Sequence, residues 1–294
     1  MLRDGGRELR IDVALTPWEL APERAALRGG VAIVVDVIRA TTTLCVLFDC
    51  GCRRVLLAPS VEAALAAKVA RPAALLAGEV GGAAPLGFDL GNSPSEVSSR
   101  EVREREVIFA TTNGTRALRA SVGAGVTLAG SLRNANAVAH VALACIHNGS
   151  ASAQPEPSSG AALQRAATSE ARLDDGAPDL LVVCAGRGDR PAYDDTVCAG
   201  YICRQVIELA RAAGEAPRLG EGARVALATV RDAGVSDLRD ALAHSDAARA
   251  IARIGLARDL DWCAALDASH TVPHVIGRED LDLLVMEPWR SEDT

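Results

Sequence analysis

The stretch VVDVIRATTTL, residues 34–44, places Asp36, Arg39, Thr41, Thr42 and Thr43 directly behind an apolar run of strand length. A carboxylate, a guanidinium and several hydroxyls gathered in so few residues can hold a hard cation and bind the oxygens of an anion. The arrangement recurs along the chain. ALLAG leads to Glu79 and GGAAPLGFDLGNSPSE, VIFA to TTNGT (111–115), VTLAG to SLRNAN (131–136), and LLVVC to AGRGDRPAYDD (185–195). Asp36, Glu79, Asp89, Asp194 and Asp195 are the carboxylates so placed, and oxygen donors of this kind suit Mg²⁺, which takes one or two carboxylates together with substrate phosphate and water. Asp36, Glu79 and Asp195 are the expected ligands. Arg39, Arg133, Arg187 and Arg190 can neutralise a substrate anion with the two-pronged geometry phosphate favours.

ATTT, GNSP and TTNGT also read as helix starts, whose free N–H groups and flanking hydroxyls form anion cradles. The expected phosphate contacts are therefore Thr41, Thr42, Asn92, Ser93, Thr112, Asn113, Gly114 and Thr115, with Asn134 added from SLRNAN. Each has a plain structural account beside the functional one. Asp36 can cap a helix or pair locally with Arg39, Asn113-Gly114 can be an ordinary turn, and Ser93-Pro94 an ordinary cap followed by a first-turn proline. Five polar clusters behind five apolar runs favour a shared site over five coincidences.

Several classes fall away on composition. A net charge of −7 without basic runs gives nucleic acid no positive face. No apolar stretch reaches the roughly 18–20 residues of a membrane span, and MLRDGGRELR is too charged for a signal peptide, so the expected setting is the cytoplasm. The eight cysteines form no C-x-x-C pair, and His270 and His274 are separated by Pro273, which argues against a zinc cage. Lys68 is the only lysine, which excludes a P-loop. The nearest approach to a dinucleotide fingerprint, GRGDR at 186–190, lacks its third glycine. The partner expected is a small anionic phosphorylated molecule, and the oligomeric state, a homodimer included, stays open.

The elements that must position these residues alternate between strand-length apolar runs and helix-length amphipathic segments. Strands are expected at 9–15, 31–35, 54–58, 74–77, 107–110, 126–129, 180–184, 272–276 and 283–286, and helices at 60–70, 115–121, 131–145, 195–213 and across 221–266. Continuous apolar strands alternating with helices predict an α/β fold, a mainly parallel sheet covered on both faces with its ligand site at the carboxyl ends of the strands. The Ala-, Ser- and Pro-rich segment 149–175 reads as a flexible insertion between an N-terminal α/β lobe (1–148) and a C-terminal one (176–294), which can also form one compact domain.

At these same residues the sequence resembles the 2-phosphosulfolactate phosphatase family. The matching blocks are DVIRATTT at 36–43, GFDLGNSPSE at 87–96, TTNGT at 111–115, SLRNANAVA at 131–139, CAG at 184–186 and DDTVCAG at 194–200. The resemblance implies a Mg²⁺-dependent acid phosphatase of α/β fold, which releases phosphate from 2-phosphosulfolactate to leave 3-sulfolactate in coenzyme M biosynthesis. Catalytic roles fall to Asp36, Arg39, Arg190 and Asp195, with water as the attacking group. A phosphoenzyme lacks support, since Ile38 stands where a D-x-D motif needs its second aspartate. The chain departs from the family pattern at Val80, where an arginine is usual, and around 188–193. A mutase or lyase acting on another phosphorylated acid, or a non-catalytic anion-binding relative, remains as an alternative.

Overall fold

The computed structural model describes residues 8–20, 30–149, 177–234, 237–290 and 293. Eleven strands form one sheet in the order β5-β4-β6-β3-β11-β10-β7-β2-β8-β1-β9. They are β1 (Arg10–Ala14), β2 (Val31–Val35), β3 (Arg54–Leu57), β4 (Leu75–Gly78), β5 (Leu90–Gly91), β6 (Glu106–Ala110), β7 (Val126–Gly130), β8 (Leu180–Cys184), β9 (Arg218–Leu219), β10 (Pro273–Glu279) and β11 (Leu283–Pro288). The helices are α1 (Ala40–Asp49), α2 (Val61–Ala70), α3 (Pro94–Val97), α4 (Gly114–Ala120), α5 (Ala135–Asn148), α6 (Tyr193–Ala212), α7 (Glu221–Ala233), α8 (Leu238–Ala243), α9 (Asp246–Arg253) and α10 (Asp259–Cys263).

This is the α/β fold expected, a mostly parallel sheet covered by helices, with one feature the apolar pattern does not carry. The sheet consists of two parallel blocks, β5-β4-β6-β3 and β7-β2-β8-β1-β9, welded by the antiparallel pair β10 and β11. The two blocks consequently run in opposite senses. Five strand-to-strand steps separate β6 from β2, and at about 20–25° of twist per step the strand direction turns by roughly 100–125°. That rotation offsets much of the reversal and lets carboxyl ends from both blocks meet.

The packing agrees. Val31, Ile33 and Val35 of β2 face α5 and α6 in one buried cluster, while Ala32 and Val34 share another with Leu44 and Leu47 of α1, Leu118 of α4, and Val55, Val107 and Phe109 of the other block. Helices α1 and α4 are thus enclosed between the two blocks. Strand β2 is completely buried because it has covered faces on both sides, which is why it reads VAIVV rather than alternating. β8, which follows the segment 149–175, lies between β2 and β1, so strands from both expected lobes share the sheet. From residue 150 to 175 that segment lies outside the described residues. The expected helical stretch 221–266 is four helices, α7 to α10, divided where Gly234, Ser245 and Gly255 interrupt it.

Candidate active site

β2 ends at Val35, and Asp36 is the first residue beyond it, 8% exposed. Its backbone is fixed by Thr41, whose Oγ1 donates to the Asp36 carbonyl at 3.0 Å and accepts from the Asp36 N–H at 3.1 Å. Thr42 donates to the Val37 carbonyl at 2.8 Å. The threonine run therefore serves the turn itself: its hydroxyls replace the backbone partners that a strand-to-helix junction leaves open. The carboxylate of Asp36, whose Oδ1 accepts from the Ala40 N–H at 3.4 Å, faces a cavity of about 760 Å³ and lies over Gly114, the first residue of α4.

Four of the five strand ends border that cavity. Asp36 and Arg39 come from β2, Glu79 and Gly82 from the loop after β4, Thr112 and Asn113 from β6, and Arg187, Arg190, Asp194 and Asp195 from the β8–α6 connection. Asn92, beyond β5, also lines it. α9 and the turn before it supply a further wall that carries Ser245 and Arg249. The two blocks are stitched together here: the Gly188 N–H donates to Asn113 Oδ1 at 3.3 Å and Arg116 donates to the Gly188 carbonyl at 2.6 Å.

The fifth strand end is elsewhere. Asn134 is fully buried in a capping box: its Oδ1 accepts from the Ser131 N–H at 2.8 Å, and its Nδ2 donates to the carbonyls of Ala129 and Thr271. An amide with its capacity so used has none left for phosphate, so the expected contact at Asn134 is replaced by a structural role. Arg133 likewise pairs with Asp49 and lies over Trp262. Ser93 caps α3 and donates to Asp259, Thr115 exchanges hydrogen bonds with Thr111, and neither these nor Thr41, Thr42 and Gly114 line the cavity.

The acidic wall is electrostatically tense. Burial pushes Asp36 up to about 6, with Glu79 adding to the rise and the Ala40 amide and Arg39 opposing it. Burial, with Asp36 nearby, pushes Asp194 up to about 7, against the pull of its own helix-start amide, Arg187 and the Ser245 hydroxyl. Asp195 is driven well above the usual carboxylate range by burial and by Asp194 and Asp36. Its Oδ1 accepts from the Val37 N–H at 2.9 Å and its Oδ2 from the Gly186 N–H at 3.0 Å. Asp195 is thus a brace between the ends of β2 and β8, and Asp194, one of the five carboxylates the chain pattern singles out but not an expected ligand, is the carboxyl without such a brace. Cys184 is fully buried and its thiol is raised by burial, so it makes a poor nucleophile.

The donor set fits a divalent cation of the Mg²⁺ kind. Carboxylates that raise one another are relieved by positive charge, and Asn92 Oδ1 is buried beside the cavity with no hydrogen-bond partner among the described residues. Among the described residues no group of three or more His, Cys, Asp or Glu is disposed to hold a metal ion by itself.

Comparison with known proteins decides the family. The family model described as 2-phosphosulpholactate phosphatase matches residues 16–151 and 145–277. The chain belongs to the 2-phosphosulfolactate phosphatase family. Its relatives include a probable 2-phosphosulfolactate phosphatase of Deinococcus radiodurans, 36% identical over 274 residues, which covers 93% of this chain and 96% of the relative. One of Thermus thermophilus is 37% identical over 270 residues, covering 92% and 95%, and one of Symbiobacterium thermophilum 32% over 254 residues, covering 86% and 94%. The family is one of phosphoric monoester hydrolases. Val80, which stands where the resemblance leads one to expect an arginine, is 59% exposed and does not line the cavity. No helix of the described residues is long and apolar enough to cross a membrane.

Proposed function

We propose that this chain is a Mg²⁺-dependent phosphatase that hydrolyses 2-phosphosulfolactate to 3-sulfolactate and phosphate, a reaction of coenzyme M biosynthesis. The observation that carries the reading is the meeting, in one cavity of a phosphatase-family chain, of Asp36, Glu79 and Asp194 with Arg187 and Arg190. Asp36 and Glu79 would hold the Mg²⁺, which supplies positive charge to the phosphoryl oxygens and favours the attack of water.

The remaining work falls to the chain. Arg187 and Arg190 line the cavity, where their guanidinium groups can meet the sulfonate and carboxylate of the substrate. The Thr112–Asn113 turn offers polar groups to the phosphate from the other block. Asp194, held up to about 7, keeps a proton near neutral pH and gives it to the leaving alkoxide oxygen. Asp195 keeps the ends of β2 and β8, and with them Asp36 and Gly186, at fixed separation.

The deciding experiment measures inorganic phosphate released from 2-phosphosulfolactate, 2-phospholactate and phosphoglycolate, with Mg²⁺ and with chelator. Metal-dependent release fastest from the sulfonate substrate is the expected result. Equal rates with and without the sulfonate would sink the substrate assignment, and undiminished release under chelation would sink the metal.

A further inference from the structure

Asp259, on α10, is fully buried and lies 220 residues from the side chain it neutralises. Its Oδ2 accepts from Arg39 Nη1 at 2.8 Å, in a pair whose side chains are 2% and 0% exposed. Its Oδ1 accepts from the hydroxyls of Ser93 and Ser95 at 2.7 and 2.5 Å and from the Ser95 N–H at 3.3 Å. Arg39 in turn donates from Nη2 to the carbonyl of Gly82 at 2.6 Å. The Gly82 N–H donates to Glu79 Oε2 at 2.7 Å, and Glu79 Oε1 accepts from the Thr112 N–H at 2.8 Å. The contacts form an unbroken line from α10 to the cavity.

We infer that Asp259 is a positioning residue for catalysis: through Arg39 and the Gly82 backbone it sets the place of the Glu79 carboxylate. The inference rests on the proposed role of Glu79 in holding the cation. The physical reason lies in the balance of charge. Arg39 borders a cavity whose carboxylates include Asp36, and an unpaired guanidinium beside them would fold onto that wall and occupy the place of the cation. A buried counter-charge behind Arg39 prevents this. Its serine donors fix the carboxylate so that both Arg39 nitrogens keep their direction. Gly82 suits the next step, since its φ of +89° is a backbone shape other residues adopt reluctantly.

Such a line could also serve only to pin α10 and α3 to the core, and the test separates the two. Asp259→Asn is combined with Glu79→Gln, and phosphate release from 2-phosphosulfolactate is followed over a Mg²⁺ titration, well below each variant's melting temperature. Asp259→Asn alone should lower kcat about 10- to 100-fold, as loss of an outer partner of a ligand does, with a weaker apparent Mg²⁺ affinity. In the Glu79→Gln background the same change should cost little more, because the two act as a unit. In the protein without Mg²⁺ or substrate, amide exchange in peptides covering 79–84 and 111–115 should quicken by about tenfold.

If Asp259→Asn melts earlier but keeps wild-type kcat, or if its loss multiplies fully with that of Glu79→Gln, the positioning role is overturned while Glu79 keeps its own. Wild-type turnover in Glu79→Gln overturns both. Should Asp259→Asn fail to fold, Gly82→Ala carries the test, since it removes no buried charge. An added Cβ there would come within 3.2 Å of Ile254 Cδ1 and turn the Gly82 backbone, whose carbonyl meets Arg39 and whose N–H meets Glu79. Its kcat should fall in the same non-additive way, and an unchanged kcat overturns the inference.

Discussion

Gly114 lies directly beneath the carboxylate of Asp36: a methyl group built on Gly114 would stand 2.8 Å from Asp36 Oδ2 and 2.5 Å from the Cβ of Ala40. One residue begins α4 and the other follows β2, so the two blocks of the sheet touch where the acidic wall is made. Gly114→Ala should displace the Asp36 carboxylate. We expect kcat to fall by about 100-fold, as small misplacements of reacting groups produce, and stability by about 1–3 kcal/mol from overpacking. Kinetics read beside thermal melting check both; a variant with wild-type kcat would show that the contact is only packing.

Asp36→Asn keeps size and shape but removes the charge a cation needs. Turnover should drop at least about 100-fold and the Mg²⁺ requirement should rise, while the fold is kept. A stable variant with wild-type turnover and metal response would refute the ligand role.

Stability should fall as pH rises between about 4 and 7 in the metal-free protein. Asp36 and Asp194 have folded-state pKa values of about 6 and 7, above the ordinary 3.8, so the native state holds protons that the unfolded chain has released. Their contribution is complete below pH 4 and is lost as pH passes through the folded values. Asp194→Asn should flatten this slope and add about 1–2 kcal/mol near pH 8, at the expense of turnover. Denaturant unfolding at several pH values, with chelator, is the measurement, and an unchanged slope would count against the burial of that charge.

Arg187→Lys and Arg190→Lys keep a positive charge but lose the planar fork. KM for 2-phosphosulfolactate should rise by about tenfold in at least one of them, with a smaller change for 2-phospholactate. Equal effects on both substrates would place these arginines on the phosphate instead of the sulfonate.

Asn134→Ala should do the reverse of the site variants. It leaves the Ser131 amide and two carbonyls without their partner, at about 1–3 kcal/mol, and should leave kcat and KM unchanged below the melting temperature.

That last contrast shows what the sequence could and could not disclose. The strands were legible wherever an apolar run met a polar cluster, because full burial on both faces leaves so plain a pattern. The boundaries of β2 and β8 agree with expectation to the residue. The site was legible as strand ends, and four of five lead to the cavity. Polar residues at a strand end have two uses, however, and the amide of Asn134 or the hydroxyl of Thr41 is the same group whether it closes a turn or binds a phosphate. Only the geometry of neighbouring backbone tells them apart. Asp259 and the α9 wall were illegible for a different reason: the one meets Arg39 and the other the cavity across some 200 residues of chain, from helices whose local pattern is unremarkable. Nor does an apolar strand state its direction, so the reversal between the blocks had no sign in the sequence.

The antiparallel weld sets the order in which the molecule can be completed. β10 and β11 follow both blocks along the chain, yet they occupy the middle of the sheet, between β3 and β7. While the polypeptide is being made, the block of β3, β4 and β6 and the block of β2, β7 and β8 must wait with an open hydrogen-bonding edge each, until the segment from Pro273 onward is released to fill the gap. Such late, long-range closure is slow and leaves edges available to other chains meanwhile. A ribosome that stalls before Pro273 would therefore leave two unjoined half-sheets, with Asp36 on one and Glu79 on the other, inactive and prone to associate through those edges.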